Sequence, residues 1–492
     1  MSNVINPVVY SISTILGLVF IGAIVALFIH DIIQKEHSIL RNYPVIGRLR
    51  FLFELQGKYF RQYWFAGDRE EQPFDRATRA WVYKNAKNKG GIIGFGSTYD
   101  LREPGASIFV NAAFPIQEED QLPTPSLLIG EGYCQYPFEA KSIINISGMS
   151  YGAISAAAVR ALSLGAAKAG CWLNTGEGGL SPYHKEGGCD VIMQIGTAKY
   201  GVRDENGNFS SARAKEVAQF VKAFEIKLSQ GAKPGKGGLL LAPKVTPEVA
   251  AIRGIPVFQD SISPNRHHDI GSIEELLDKI AYIRDLTGRP VGVKSVIGGW
   301  HFINELCDAI HRRGLEYAPD FLTIDGGEGG SGAAPQTLMD YAGLPIAEAL
   351  PRVVDTLIES DLKKRIRVIA AGKLVTSAHG AWALSIGADF VNTARGFMFA
   401  LGCIQALRCH LNTCPTGITT HDPWLQRGLV VEQKYLRVAN YAINVNKEIA
   451  MLAHSCGLKH AREFRREHVR IVQTPGKSAA LNMLYPYPEV KR

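Results

Sequence analysis

Cysteines 403, 409 and 414 fall within one short stretch, GCIQALRCHLNTCP, residues 402–415. Closely spaced thiols serve as metal ligands, iron–sulfur ligands, redox pairs or nucleophiles. The C-x5-C-x4-C spacing matches neither the C-x2-C pairs of zinc ribbons nor the C-x-x-C of thioredoxins. Two readings stay open on spacing alone. One is an iron–sulfur cluster, either three-iron or four-iron with a further ligand, and the other is ordinary buried thiols. A nucleophilic thiol would need a base, and only His410 is adjacent in sequence.

A second group of residues sits in glycine-rich loops: NTGEGG (174–179), GAKPGKGG (231–238), DGGEGGSGAAP (325–335) and AAGK (370–373). Glycine lets backbone amides come close to a ligand, so glycine loops at successive strand ends point to a phosphate-bearing cofactor. Neither a Rossmann G-x-G-x-x-G nor a Walker loop is present in its required strand and helix context. Lys294, near the end of VGVKSV, can place an ammonium beside charge that develops on a reduced flavin ring. Glu177 and Lys233 lie within the loops themselves and suit positioning of a carboxylate or proton movement.

Positioning these loops requires a scaffold, and after Pro123 the chain alternates short apolar β-branched runs with amphipathic stretches. Eight strands are predicted: SIINIS (142–147), CWLNT (171–175), VIMQI (191–195), FEIKLS (224–229), VGVKSV (291–296), FLTIDG (321–326), RVIAAG (367–372) and DFVNTA (389–394). Eight closes an α/β (β/α)8 TIM barrel, whose site is built from loops at the C-terminal ends of its strands. The alternative is a doubly wound open sheet, because GEGGLSPYHKEGGCD between the second and third strands is too short for a full crossover helix. In SIEELLDKIAYIRDL, Ser272 is placed to cap a helix, with Ile273, Leu276, Leu277, Ile280 and Ile283 forming its apolar stripe.

At the start of the chain, Val8 to Ile29 runs 22 residues without a charge, enough to span a bilayer. No Lys or Arg precedes it and no small-residue cleavage site follows, which favours an anchor over a signal peptide. Lys35, Arg41, Arg48 and Arg50 follow it, placing the C-terminal part in the cytoplasm by the positive-inside rule. In that compartment the eight cysteines are not expected to form structural disulfides. The stretch RLRFLFELQGKYFRQYWF then reads either as a surface lying against the membrane or as a cap packed on the main domain. The formal charge of +8 is dispersed over 492 residues, which argues against nucleic-acid binding. The expected organisation is an anchor at 1–35, an extension at 36–122, the barrel at 123–470 with its cysteine loop at 402–416, and a tail at 471–492.

From about Ser142 to His454 the chain resembles the FMN-binding domain of glutamate synthases. The resemblance rests on SGMSYGAIS, LNTGEGG, QGAKPGKGG, SPNRHHDIGSIEEL, GGSGAAP and above all ALGCIQALRCHLNTCPTGITT. It is strongest with stand-alone, membrane-anchored glutamate synthase-like proteins. It implies FMN at the barrel mouth and a 3Fe-4S cluster held by Cys403, Cys409 and Cys414. It also implies that Met149, Ser150, Gln194 and Lys294 surround the flavin ring, with Gly330, Gly372, Arg395 and Gly396 near its phosphate. Glu177 and Lys233 would lie beside the substrate. The implied reaction reduces 2-iminoglutarate, formed from 2-oxoglutarate and ammonia, to L-glutamate.

The chain departs from the family pattern on the substrate side. The usual GRFGV reads AKYGV, putting Lys199 where an arginine would bind a substrate carboxylate, and lysine lacks the bidentate fork. The usual PGEGGQ reads PGKGGL, with Lys236 replacing an acid and Leu239 an amide. With no amidotransferase domain or nicotinamide fingerprint in the sequence, ammonia is expected from solution or a separate glutaminase subunit. Electrons are expected from a partner reductase or ferredoxin. A flavin oxidoreductase acting on another amino, N-methylamino or hydroxy acid is the alternative reading, followed by a non-catalytic electron relay.

Overall fold

A computed structural model of the chain describes residues 7–490. These divide into two compact units with the boundary at Thr78/Arg79, inside the stretch 36–122.

The first unit opens with the helix Pro7–Ile33. Within it Ser11–Ile33 is long and apolar enough to cross a bilayer, a property shared by membrane anchors and signal sequences. Asp31 ends the apolar run and draws the following chain onto it. Its carboxylate accepts from Val45 N at 3.0 Å and from Arg48 Nε at 3.0 Å. A helix Arg48–Phe60 then runs into a π-helical turn, Arg61–Phe65, and neither buries a single residue.

The second unit is built on a closed barrel of eight parallel strands. They are β1 Ile144–Ile146, β2 Leu173–Asn174, β3 Val191–Ile195 and β4 Ala223–Lys227, then β5 Val291–Val296, β6 Phe321–Asp325, β7 Arg367–Ala371 and β8 Phe390–Thr393. Each lies within one of the eight segments predicted from the sequence, apart from Ala223, which β4 adds one residue upstream. Closure, with β8 pairing β1, excludes the open doubly wound sheet. The short second crossover carries only the helix Pro182–Lys185. Ser272 caps the helix Ile273–Thr287 by accepting from Glu275 N, and Leu276, Leu277, Ile280 and Ile283 are buried beneath it.

Side chains alternate along each strand, so every second residue faces the barrel axis and the interior fills in layers. The lowest layer is apolar: Trp172, Ile192, Ala223, Phe321, Ile369 and Phe390 pack with Ile129, Phe138 and Ala140. The last three come from an antiparallel hairpin, Leu127–Ile129 with Phe138–Ala140, which closes the N-terminal end of the barrel. At that same end buried Asp320 accepts from Arg284 Nε at 2.9 Å and Val291 N at 2.8 Å, a structural ion pair. One layer up, the Glu225 carboxylate accepts from Asn174 Nδ2 at 2.9 Å, Gln194 Nε2 at 2.6 Å and Thr323 Oγ1 at 2.7 Å. A third, charged layer opens at the C-terminal ends of the strands.

Glu225 ties its own strand, β4, to β2, β3 and β6 through one carboxylate, and it and its three partners are at most 3% exposed. Replacing Glu225 with alanine strands three donors and is expected to cost about 3–5 kcal/mol. Glu225→Gln keeps one acceptor and should cost less, about 1–3 kcal/mol. Urea denaturation midpoints of the two variants measure the difference.

Candidate active site at the barrel mouth

The loop after β2 carries Glu177 to the mouth, where its side chain keeps 20% exposure. Lys227, the last residue of β4, donates to Glu177 Oε2 at 3.0 Å and to Gln230 Oε1 at 2.5 Å. Two glycines leave room for that carboxylate. A Cβ on Gly238 would stand 2.4 Å from Glu177 Oε1, and one on Gly196 would stand 2.7 Å from Glu177 Cβ. Burial pushes the Glu177 carboxyl up, but the neighbouring Lys227 and Lys233 outweigh it and hold it at about 2. Lys233 Nζ donates to Ala333 O at 3.1 Å, and burial pushes its ammonium down to about 8 against the pull of Glu177.

A third cation belongs to this cluster although its sequence position gave no sign of it. The helix Pro247–Arg253 starts on a Thr246 cap, with Pro247 at its first turn, and stops at Gly254, whose φ is 65°. Its last residue, Arg253, is 4% exposed. Arg253 Nη2 donates to Tyr151 O at 3.3 Å and Ser150 Oγ at 3.5 Å, and Nη1 to Ser261 Oγ at 3.3 Å. Its buried Nε finds no hydrogen-bond partner, so one donor remains for a ligand or water. Lys227 also escaped the sequence reading because it ends a strand that reads as scaffold. Lys199 is 4% exposed and ion-paired, its Nζ 2.8 Å from Asp269 Oδ1, and Asp269 also binds Lys279 at 2.6 Å.

The residues expected around a flavin ring gather on the same rim. Lys294 Nζ lies 3.4 Å from Asp325 Oδ2; burial opposes its charge, but Asp325 and Glu225 outweigh that and hold its pKa above the ordinary lysine value. Gln194 reaches down to Glu225, while Met149 and Ser150 lie against the loop after β2. There Gly176 adopts φ 65°, and a Cβ on it would stand 2.5 Å from Ser150 N. Only glycine permits that approach.

Across the mouth, Arg395 follows β8 and donates through Nη2 to Glu328 O at 2.9 Å. Burial pushes the Arg395 guanidinium down to about 10 and lowers Lys373 as well. Two desolvated cations beside Gly330 and Gly372 make a cradle that suits a phosphate group. Gly330 closes on Arg395, where a Cβ would meet Cζ at 2.9 Å, and Gly372 takes φ 118°. Gly396 has a further, structural reason to be glycine, since a Cβ there would strike Tyr441 Oη at 2.2 Å. The ring and phosphate groupings together fit FMN.

Beyond this rim Cys403, Cys409 and Cys414 line one pocket with Met398, Ile404, Ala406, Leu407, Arg408, Pro415, Thr416 and Thr419. The loop reaches that shape through left-handed backbone at Gln405, Leu407 and Asn412, φ 55–60°. Gln405 N donates to Cys403 Sγ at 3.4 Å, and Thr416 Oγ1 lies 3.3 Å from Cys414 Sγ. Burial pushes Cys403 up to about 12 and raises Cys409, whereas at Cys414 contacts with Thr416 and Thr419 outweigh burial and lower it. All eight cysteines are free, and His410 is exposed. Among the described residues no three His, Cys, Asp or Glu side chains converge on a single metal ion. An iron–sulfur cluster makes a different demand, because each thiolate binds its own iron and the sulfurs stand apart by the width of the cluster. Three thiols lining one pocket, two of them with hydrogen-bonding groups nearby, supply the ligand type that such a cluster takes.

A single buried lysine ties the two regions together. Lys244, 2% exposed, donates to Ala153 O at 2.6 Å and to Cys409 O at 3.0 Å. On the far side of the loop Tyr83 Oη donates to Cys403 O at 2.5 Å.

Residues 111–459 match the conserved region in glutamate synthase. The chain belongs to the glutamate synthase family. It is 42% identical to the glutamate synthase large subunit-like protein YerD of Bacillus subtilis, covering 93% of this chain and 94% of that one. An archaeal-type glutamate synthase (NADPH) of Thermotoga neapolitana is 36% identical over 66% of this chain. This chain spans 62% of that relative's length and 22% of the Bacillus subtilis glutamate synthase (NADPH) large chain, to which it is 30% identical. Among solved structures, a mandelate oxidase with (S)-2-phenylpropionate aligns at TM-score 0.43 and 14% identity over 80% of this chain and 90% of that one.

In this family member the charge of Lys233 leans on Glu177. Glu177→Gln is expected to lower the Lys233 pKa from about 8 by ~1 unit or more. The pH dependence of lysine acylation at this position, read by peptide mass spectrometry, should shift to lower pH in the variant. An unchanged profile would show that Glu177 does not sustain that charge.

Proposed function

We propose that this glutamate synthase-like oxidoreductase reductively aminates 2-oxoglutarate, by way of 2-iminoglutarate, to L-glutamate. In this reading FMN sits at the barrel mouth, a 3Fe-4S cluster sits on Cys403, Cys409 and Cys414, and electrons come from a reductase subunit or ferredoxin. Ammonia comes from solution or a separate glutaminase subunit. The chain is held to the membrane by Ser11–Ile33, with the barrel on the cytoplasmic side.

One observation carries the substrate class: Lys227, Lys233 and Arg253 face the single carboxylate of Glu177. That excess of positive charge suits a dicarboxylate. When bound, the flavin supplies the two electrons that reduce a carbon–nitrogen double bond, and the cluster relays electrons singly. The protein's own residues do the rest. Arg253 offers a fixed guanidinium donor to a carboxylate, and Lys233 supplies a movable ammonium. With its pKa at about 8, Lys233 can hold or release a proton at Nζ near neutral pH. Lys294 would stabilise negative charge that develops on the flavin ring.

A second reading has its own observation. Leu239 pairs across a two-stranded ribbon with Ile262, and the two side chains are 39% and 70% exposed. Because Gly238 borders Glu177, this apolar pair begins one residue from the charged cluster. It favours an amino or oxo acid with an apolar side chain over a dicarboxylate.

Anaerobic purification should give a protein with flavin and acid-labile sulfide that forms glutamate from 2-oxoglutarate, ammonia and a reduced donor. Flavin- and iron-loaded protein that makes no glutamate with ferredoxin or dithionite, but turns over an apolar acid, would decide for the second reading. Cys409→Ser is expected to lose most of the iron while keeping the flavin, as measured by metal analysis and absorbance. Full iron retention would remove the cysteines from the proposal.

A further inference from the structure

The helix Arg48–Phe60 with its continuation to Phe65 is amphipathic, yet none of its residues is buried. At helical spacing, Leu49, Leu52, Phe53, Phe60 and Trp64 fall on one side, and Arg50, Glu54, Lys58 and Arg61 on the other. The apolar side is open to solvent, with Phe53 64% and Trp64 76% exposed. In water that surface is a liability that an amphipathic helix normally resolves by burial.

The position of the helix indicates what buries it. Arg48, its first residue, is bound to Asp31 through Nε at 3.0 Å and Nη2 at 2.5 Å. Asp31 lies three residues from the end of the apolar helix Pro7–Ile33, counting Ile33 itself. The amphipathic helix therefore starts at the level where the apolar run stops. If Ser11–Ile33 crosses a bilayer, that level is the boundary between headgroups and acyl chains. Tyr59, Tyr63 and Trp64 have the amphipathic rings that favour this depth, and the opposite side carries three bases against one acid.

The geometry points to residues 48–65 lying in the plane of the membrane surface, apolar side down, as a second attachment that recognises anionic phospholipid. The inference rests on the reading of Ser11–Ile33 as a membrane span. Its occupant is the same bilayer that holds the span, not a second copy of the chain or a soluble partner.

The full chain reconstituted into nanodiscs tests it. Acyl chains brominated near the headgroup should quench part of the tryptophan emission, and Trp64→Phe should abolish that bromine-sensitive part. Quenching should be greater in phosphatidylglycerol than in phosphatidylcholine discs. Arg50→Gln with Lys58→Gln should remove the difference between the two lipids. Protein that stays with the discs but shows the same bromine-sensitive emission with and without Trp64 would overturn the inference and leave the span reading standing. Protein that elutes free of the discs would overturn both. Glutamate-forming or other turnover with a soluble donor is expected to be unchanged in Trp64→Phe.

Discussion

Everything at the mouth of this barrel rests on the carboxylate of Glu225. A charged group at the centre of a barrel is costly unless its lone pairs are matched, and here Asn174, Gln194 and Thr323 match them. Those donors come from three other strands, so the satisfied carboxylate sets the register in which the strands end. Below it the interior is apolar and sealed by the 127–140 hairpin. Above it the charge of Lys294 is sustained partly by Glu225 itself. The polar layer thus separates a region concerned with stability from one free to carry chemistry.

In the upper region the charges divide by partner. Lys199 is committed to Asp269 and Lys294 to Asp325. Lys227 is committed to Glu177, whereas Lys233 touches only a carbonyl by hydrogen bond, and Arg253 keeps one buried donor unused. Where the family pattern has an arginine at 199 this chain carries a lysine paired with Asp269, and a guanidinium, Arg253, reaches the Glu177 cluster from another element. Leu239 puts an aliphatic side chain on an exposed ribbon, one residue along the chain from Gly238.

The scaffold was legible because barrel strands announce themselves as short apolar runs at regular intervals. All eight were found that way, as was the Ser272 cap. The loop residues Glu177, Lys233 and the cysteines were legible for a related reason: charged or soft side chains among glycines have few structural explanations. Lys227, Lys244 and Arg253 were not. Lys227 closes a scaffold strand that already carries Glu225, and Arg253 occupies the last turn of a helix, where a basic residue has a common electrostatic role. Lys244 sits in an unremarkable loop. What brings these three to the mouth and the cysteine loop is the direction in which the fold turns their long side chains, and no local pattern encodes that direction.

The lysine at 244 joins Ala153 of the loop after β1 to Cys409 of the loop after β8. These loops are more than two hundred residues apart in sequence but share one ammonium. One buried ammonium therefore braces both loops, and its loss would free a carbonyl in each. The barrel mouth and the thiol pocket share that brace.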